Sequence, residues 1–113
     1  MIRFTIVTIT YNAAPVFMRT ADSVLGQTYR DVEHIIVDGA SSDGTADIAL
    51  AYKRRSDEAA NGHEVRVVSE PDKGLYDAMN KGLRLATGDY VCFLNAGDFF
   101  PDASTLHLIY NNV

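Results

Sequence analysis

A single cysteine, Cys92, excludes an internal disulfide, so this chain draws no stability from cross-linking. No apolar stretch approaches the ~20 residues needed to span a bilayer. The opening Met1-Ile2-Arg3-Phe4 leads straight into an apolar run, without the charged and apolar regions of a signal peptide. These absences point to a cytoplasmic protein. Basic residues are also few: the net charge is −5, and the densest basic run is Lys53-Arg54-Arg55, which reads as a solvated helix face. That argues against a nucleic-acid partner. Phosphate-cradling glycines are missing too. The first turn is Tyr11-Asn12-Ala13-Ala14-Pro15, and no Gly-x-x-x-x-Gly-Lys-Ser/Thr string occurs. His34, His63 and His107 lie far apart, with no Cys or His at ligand spacing, which argues against zinc.

What is present is a regular alternation. Hydrophobic residues make up 47% and charged residues 22%, the balance of one soluble globular domain over residues 1–113. Four apolar, strand-like runs each end in polar residues. Phe4–Thr10 leads into Tyr11-Asn12, and His34–Val37 into Asp38-Gly39. Val65–Ser69 leads into Glu70-Pro71-Asp72, and Tyr90–Leu94 into Asn95-Ala96-Gly97-Asp98. Helical periodicity fills the gaps. Residues Pro15 to Gln27 place Val16, Phe17, Ala21, Val24 and Leu25 on one face. A second helix starts near Thr45, capped by Asp43, and buries Ile48, Ala51 and Tyr52. A third carries Leu75, Ala78, Met79, Gly82, Leu83 and Ala86, with Gly88 as its stop. One more short helix fits after Pro101.

Strands alternating with helices of this length predict an α/β fold, a three-layer Rossmann-like parallel sheet ordered 3-2-1-4 with helices on both faces. All four polar clusters then fall on the carboxyl edge, where open α/β sheets bind ligands. The carboxylates Asp38, Asp72 and Asp98 suit two chemistries there. They can hold a hard divalent cation through oxygen ligands, or accept hydrogen bonds from a base or ribose. Spacing alone leaves both open.

Five segments carry a resemblance. They are Thr8-Ile9-Thr10-Tyr11-Asn12; Ile36-Val37-Asp38-Gly39-Ala40-Ser41-Ser42-Asp43-Gly44-Thr45; Glu70-Pro71-Asp72-Lys73-Gly74-Leu75-Tyr76-Asp77-Ala78-Met79-Asn80-Lys81-Gly82; Ala86-Thr87-Gly88-Asp89-Tyr90; and Phe93-Leu94-Asn95-Ala96-Gly97-Asp98. In this order and with these gaps the chain resembles the inverting family-2 glycosyltransferases of GT-A fold. The resemblance implies a nucleotide-diphosphate-sugar donor, by the usual base a UDP-sugar, and a glycan or lipid-linked acceptor. It further implies that Asp38 contacts the base and that Asp72, Lys73 and Gly74 lie near it. Thr10, Tyr11 and Asn12 would line the nucleotide pocket. Asn95 and Asp98 would fall in the segment that handles ribose, diphosphate and metal.

The chain departs from that pattern in two places. Asn95 and Gly97 stand where carboxylates are usual, so Asp98 alone is left to hold Mg²⁺ or Mn²⁺, weakly and with nucleotide present. Met79 stands where many relatives have an arginine. The general base of such enzymes lies in a second half beyond Val113, so residues 1–113 read as the donor-binding half, able to bind donor and poorly able to turn it over alone.

Other readings compete. N-capping by itself explains Asp43 and gives Asp72 a second role, while Asp38, Asn95 and Asp98 also suit plain strand-end turns. A non-catalytic α/β interaction module is the alternative to a transferase. A receiver domain would need acidic residues after the first strand, and a sugar nucleotidyltransferase a Gly-rich first loop. With no spanning segment, peripheral membrane association and a homodimer formed through a sheet edge or face remain open.

Overall fold

Four strands, β1 (Phe4–Thr10), β2 (Val32–Asp38), β3 (Glu64–Ser69) and β4 (Tyr90–Phe93), alternate with four helices in this computed structural model, which describes residues 2–113. The helices are α1 (Ala14–Leu25), α2 (Thr45–Ala59), α3 (Leu75–Leu85) and α4 (Thr105–Asn111). The sheet is ordered β3-β2-β1-β4 and every pairing is parallel, the order the alternation predicts.

Strand periodicity assigns the two faces. Phe4, Ile6, Val32, Ile36 and Val65 point toward α1, α2 and α4, where they meet Phe17, Ala21, Val24, Ala49, Tyr52 and Leu106. Val7, Ile35 and Val37 point the other way and pack on Ala78 of α3. Strands covered on both sides are buried along their length, so β1 and β2 carry apolar residues on both faces and pair their buried Thr, Glu, His and Asp side chains with one another. α3 packs closely because Gly82 has no side chain: a Cβ there would come within 2.6 Å of Val7 Cγ1.

The structure corrects several details. Val16, Leu75 and Leu83 are exposed, and so is Ala51; the inward positions are Thr20 in α1 and Ala49 and Ser56 in α2. Gly44, with φ of 89°, takes the N-cap position of α2, one residue later than expected. Asp43 serves two helix starts instead: its carboxylate accepts the amide and hydroxyl of Thr45 and the amide of Ala14 at the head of α1 (3.1 Å). Gly88 does not stop α3, which ends at Leu85. Its lack of a Cβ permits contact with β1, since that atom would lie 2.5 Å from Thr5 Oγ1 and 2.7 Å from Thr5 N.

A polar clasp closes the amino edge. Buried Glu33 accepts the hydroxyls of Thr5 (2.9 Å) and Thr87 (3.0 Å) and the Thr87 amide (2.8 Å), with Arg3 and Arg66 at 3.5 and 3.7 Å. Burial raises its pKa, but these donors and Arg3 outweigh burial and hold it below the ordinary glutamate value.

Candidate functional site

The carboxyl edge is organised around Asp38. Register places Thr10, Asp38 and Ser69 side by side at the ends of β1, β2 and β3, all pointing to the α1–α2 face. Asp38 is fully buried. Its Oδ1 accepts the hydroxyls of Thr10 (2.7 Å) and Ser41 (2.6 Å), and its Oδ2 accepts the Ser69 hydroxyl (2.8 Å) and the Ser41 amide (3.0 Å). Four donors fill the acceptor capacity of a carboxylate. Burial pushes its pKa up, yet the Ser41, Thr10 and Ser69 bonds outweigh that and hold it below the usual aspartate value. Asp38 is therefore ionised at neutral pH and joins three strand ends.

Loop geometry extends from this hub. The Asn12 amide donates to Ser41 Oγ (2.8 Å), and Asn12 Oδ1 accepts the Ser42 amide (2.9 Å). Asn12 and Ala40 both adopt left-handed backbone, φ 49° and 59°. For alanine that conformation is strained, and the surrounding bonds hold it. Gly39 allows the next contact: a Cβ there would lie 2.7 Å from Asp72 Oδ2 and 3.4 Å from the Tyr11 ring. The exits of β1, β2 and β3 thus touch one another.

Between them opens a cleft of about 300 Å³, on the α3 side of the sheet, lined by Ile9, Thr10, Tyr11, Asp72, Gly74, Leu75 and Ala78. Asp72 Oδ1 accepts the Gly74 amide (3.1 Å), and Asp77 accepts the Lys73 amide (2.9 Å), fixing the turn into α3. Lys73 is exposed beside that turn. Lys81 holds the preceding loop by donating to the Pro71 carbonyl (2.9 Å) and pairing with Glu70 (3.2 Å). A larger hollow, about 550 Å³, lies at the opposite edge against Ile2, Asp89 and Tyr110. Its one carboxylate already accepts the Arg3 amide (2.8 Å), so converging polar groups favour the smaller cleft.

The loop after β4 stands apart from the cleft walls. Thr20 of α1 receives the Gly97 amide (2.7 Å), Ser23 receives the Phe100 amide (3.1 Å), and the Arg19 guanidinium lies 4.1 Å over the Phe99 ring. The Asp98 amide closes a turn on the Asn95 carbonyl (2.9 Å), and both residues are exposed. Among the described residues no three His, Cys, Asp or Glu side chains gather as a metal cage. An exposed lone carboxylate fits a divalent ion only if a ligand's phosphates complete its coordination.

Of the residues singled out in the sequence, Thr10, Tyr11, Asp72 and Gly74 line the cleft, with Lys73 next to them. Asp38 and Asn12 lie behind it as framework, and Asn95 and Asp98 occupy the separate α1-docked loop. Sequence reasoning missed Ser41 and Ser69, whose signal was a turn-forming serine three residues after Asp38 and a serine ending β3 in register with it. It also missed Gly39 as the point of close approach, and Ile9 and Ala78 as walls.

Comparison with known proteins agrees with this fold. The model of the family described as glycosyl transferase family 2 matches residues 5–112. A PGL/p-HBAD biosynthesis glycosyltransferase of Mycobacterium bovis is 41% identical over 104 residues, covering 91% of this chain and 38% of its own length. The uncharacterized glycosyltransferase EpsJ of Bacillus subtilis is 32% identical over 93 residues, 82% of this chain and 25% of EpsJ. The chain thus spans well under half the length of these curated relatives. Among solved structures, the mannosyltransferase PcManGT from Pyrobaculum calidifontis, in complex with GDP-Man and Mn²⁺, superposes with a TM-score of 0.78 at 35% identity over 93% of this chain and 30% of that one. TarS of S. aureus, in complex with UDP-GlcNAc, gives 0.79 at 22% identity over 96% and 30%, a likeness of fold alone. Parallel order, carboxyl-edge cleft and a match over nearly every described residue lead to one conclusion: the chain belongs to glycosyl transferase family 2.

Proposed function

We propose that the carboxyl-edge cleft holds the nucleoside of a nucleoside-diphosphate sugar and that the whole protein transfers the sugar, with inversion, to a glycan or lipid-linked acceptor. The observation that carries this reading is the cleft itself: apolar walls, a tyrosine ring and one carboxylate brought together by three strand ends. Its ~300 Å³ suits a base and part of its ribose, leaving the diphosphate to extend toward the loop of Asn95 and Asp98. The 35% identical mannosyltransferase with bound GDP-Man supports a nucleotide sugar as the donor class.

Each residue has a part. Tyr11 offers a ring against which a base can pack. Asp38 acts from behind by holding Thr10 and the Ser41 loop, and Asn12 continues that framework. Lys73 supplies positive charge at the mouth. Asp98 would hold Mg²⁺ or Mn²⁺ together with the donor's phosphates, as the Mn²⁺ in the mannosyltransferase suggests. Such an ion, when bound, supplies charge to offset the departing diphosphate. The acceptor, its general base, the cytoplasmic setting and any homodimer belong to the same proposal.

Calorimetric titration with nucleoside diphosphates in Mn²⁺ tests it. Saturable binding is expected, weakened by Tyr11→Ala and by Asp98→Asn. Absence of binding at millimolar nucleotide would favour the interaction-module alternative.

A further inference from the structure

We propose that Thr20 of α1, together with Ser23, is a positioning residue for the donor's divalent ion, because it fixes the turn that presents Asp98. This rests on the donor-binding reading above and adds what holds the ion's carboxylate in place. Asp98 has only its backbone to aim it. Its carboxylate is exposed and accepts no hydrogen bond among the described residues, while its amide donates to the Asn95 carbonyl (2.9 Å). Gly97, just before it, closes the turn with φ of 99°, a conformation that a side chain would strain. An exposed turn keeps one shape only if something else holds it.

α1 supplies that hold. Thr20 is fully buried, and its Oγ1 accepts the Gly97 amide (2.7 Å) and donates to the Asn95 carbonyl (3.4 Å). A threonine hydroxyl inside a helix ordinarily turns back on the carbonyl one turn earlier. This one instead grips both ends of the stretch before Asp98, 75 and 77 residues away. One turn along α1, Ser23 Oγ accepts the Phe100 amide (3.1 Å) and is itself aimed by donating to the Thr20 carbonyl (2.8 Å). Asp98 therefore lies between two clamped amides. With Asn95 and Gly97 in place of carboxylates, no neighbouring side chain can correct its aim toward an ion that demands near-octahedral ligands. Groups that orient a metal ligand without touching the ion commonly change its affinity by 10- to 100-fold.

Calorimetric titration with GDP and with UDP, each with and without Mn²⁺, tests this on the unmodified protein, Thr20→Val, Thr20→Ser and Gln27→Ala. The quantity read is the factor by which Mn²⁺ tightens the diphosphate. Thr20→Val keeps the shape but loses the hydroxyl, and should lower that factor by about tenfold, or to unity if it is smaller. Affinity without metal should stay the same, and Thr20→Ser should restore the factor. Gln27 grips the same segment farther along, at the Asp102 carbonyl (2.7 Å) and the Leu106 amide (3.1 Å). Gln27→Ala should thus cost stability and leave the factor alone. Hydrogen exchange in the metal-free protein gives a second measure: the Gly97 amide should exchange faster in Thr20→Val than in Thr20→Ser. A factor unmoved by Thr20→Val would overturn the proposal. So would affinities with and without metal falling together, or Gln27→Ala lowering the factor as much. If a diphosphate binds and Mn²⁺ has no effect, the role of Thr20 falls while donor binding stands. If neither diphosphate binds, the donor-binding reading falls and takes this one with it. Should Thr20→Val fail to fold, Ser23→Ala decides: it frees only the Phe100 amide and should still lower the factor.

Discussion

Removing the Asp38 carboxylate would leave the hydroxyls of Thr10, Ser41 and Ser69 and the Ser41 amide without their acceptor. Asp38→Ala should therefore lower stability by about 1.5–3 kcal/mol in urea unfolding, the range for bonds to a charged group. It should also weaken nucleotide binding through the released Ser41 loop. An unchanged unfolding midpoint would mean the hydroxyls find other partners. A second residue ties stability to pH. His34 is fully buried between Thr8 Oγ1 and the Tyr52 hydroxyl, both at 2.8 Å, and burial pushes its pKa down to about 3. His63 is lowered as well, also by burial first. An unfolded histidine titrates near 6.5, so below that pH the unfolded chain binds the extra proton. Their stabilisation is complete above pH ~6.5 and is lost as pH falls toward the folded values, at up to about 1.4 kcal/mol per pH unit for each residue. Between pH 6.5 and 5 the carboxylates still carry their charge, so histidine dominates the slope. His34→Gln should flatten it by roughly half in pH-dependent chemical unfolding; an unaltered slope would exclude His34 as a source.

At the scale of elements, α3 connects core to cleft. Its Ala78 lines the cleft while Gly82, one turn on, lies against Val7 of β1. Gly82→Ala would drive a Cβ to 2.6 Å from Val7 Cγ1, and the flanking Ala78 and Leu75 would move with the helix. We expect a loss of about 1–3 kcal/mol from overpacking, partly offset by alanine's better helix propensity. Nucleotide affinity should fall in the same variant. Leu83→Ala, on the exposed side of the same helix, should change stability by no more than about 0.5 kcal/mol. Thermal unfolding of the pair checks this, and equal losses would contradict the packing described for α3.

For the whole molecule, the cleft proposed to hold the donor is assembled from the ends of β1, β2 and β3, so a ligand seated there would link segments that separate on unfolding. Ligand at a hundred times its Kd adds about 2.7 kcal/mol to a protein that binds it only when folded. A nucleoside diphosphate with Mn²⁺ should accordingly raise the melting temperature by about 10 °C, at ~4 °C per kcal/mol. Mn²⁺ alone should leave it nearly unchanged, because no metal cage preexists among the described residues. Asp98→Asn should remove the metal-dependent part of the shift and leave the nucleotide-only part. Stabilisation by Mn²⁺ alone, or a metal effect that survives Asp98→Asn, would place the ion elsewhere.

How far the sequence reaches depends on the range of the interactions involved. Strand order and helix order were legible because they follow from local periodicity and the handedness of parallel crossovers. The polar strand ends were legible for the same reason. Which side of the sheet each one serves was decided by register. Asp38 ends β2 in phase with His34 and Ile36, so it points at α1 and α2 while the cleft opens on the α3 side. Its donors Thr10 and Ser69 lie 28 and 31 residues away along the chain, a separation at which no spacing rule operates. Asp72 is the converse case. In the sequence it reads equally as a helix cap and as a binding residue; in the structure Gly74 takes the N-cap of α3, and Asp72 keeps one oxygen on the Gly74 amide in the turn before it and the other free beside Gly39. The sequence by itself determined the alternation, the sheet order and the edge on which the polar residues gather. Tertiary structure alone decided which carboxylate is spent inside the protein and which is left for a ligand, because that depends on donors delivered by distant strands.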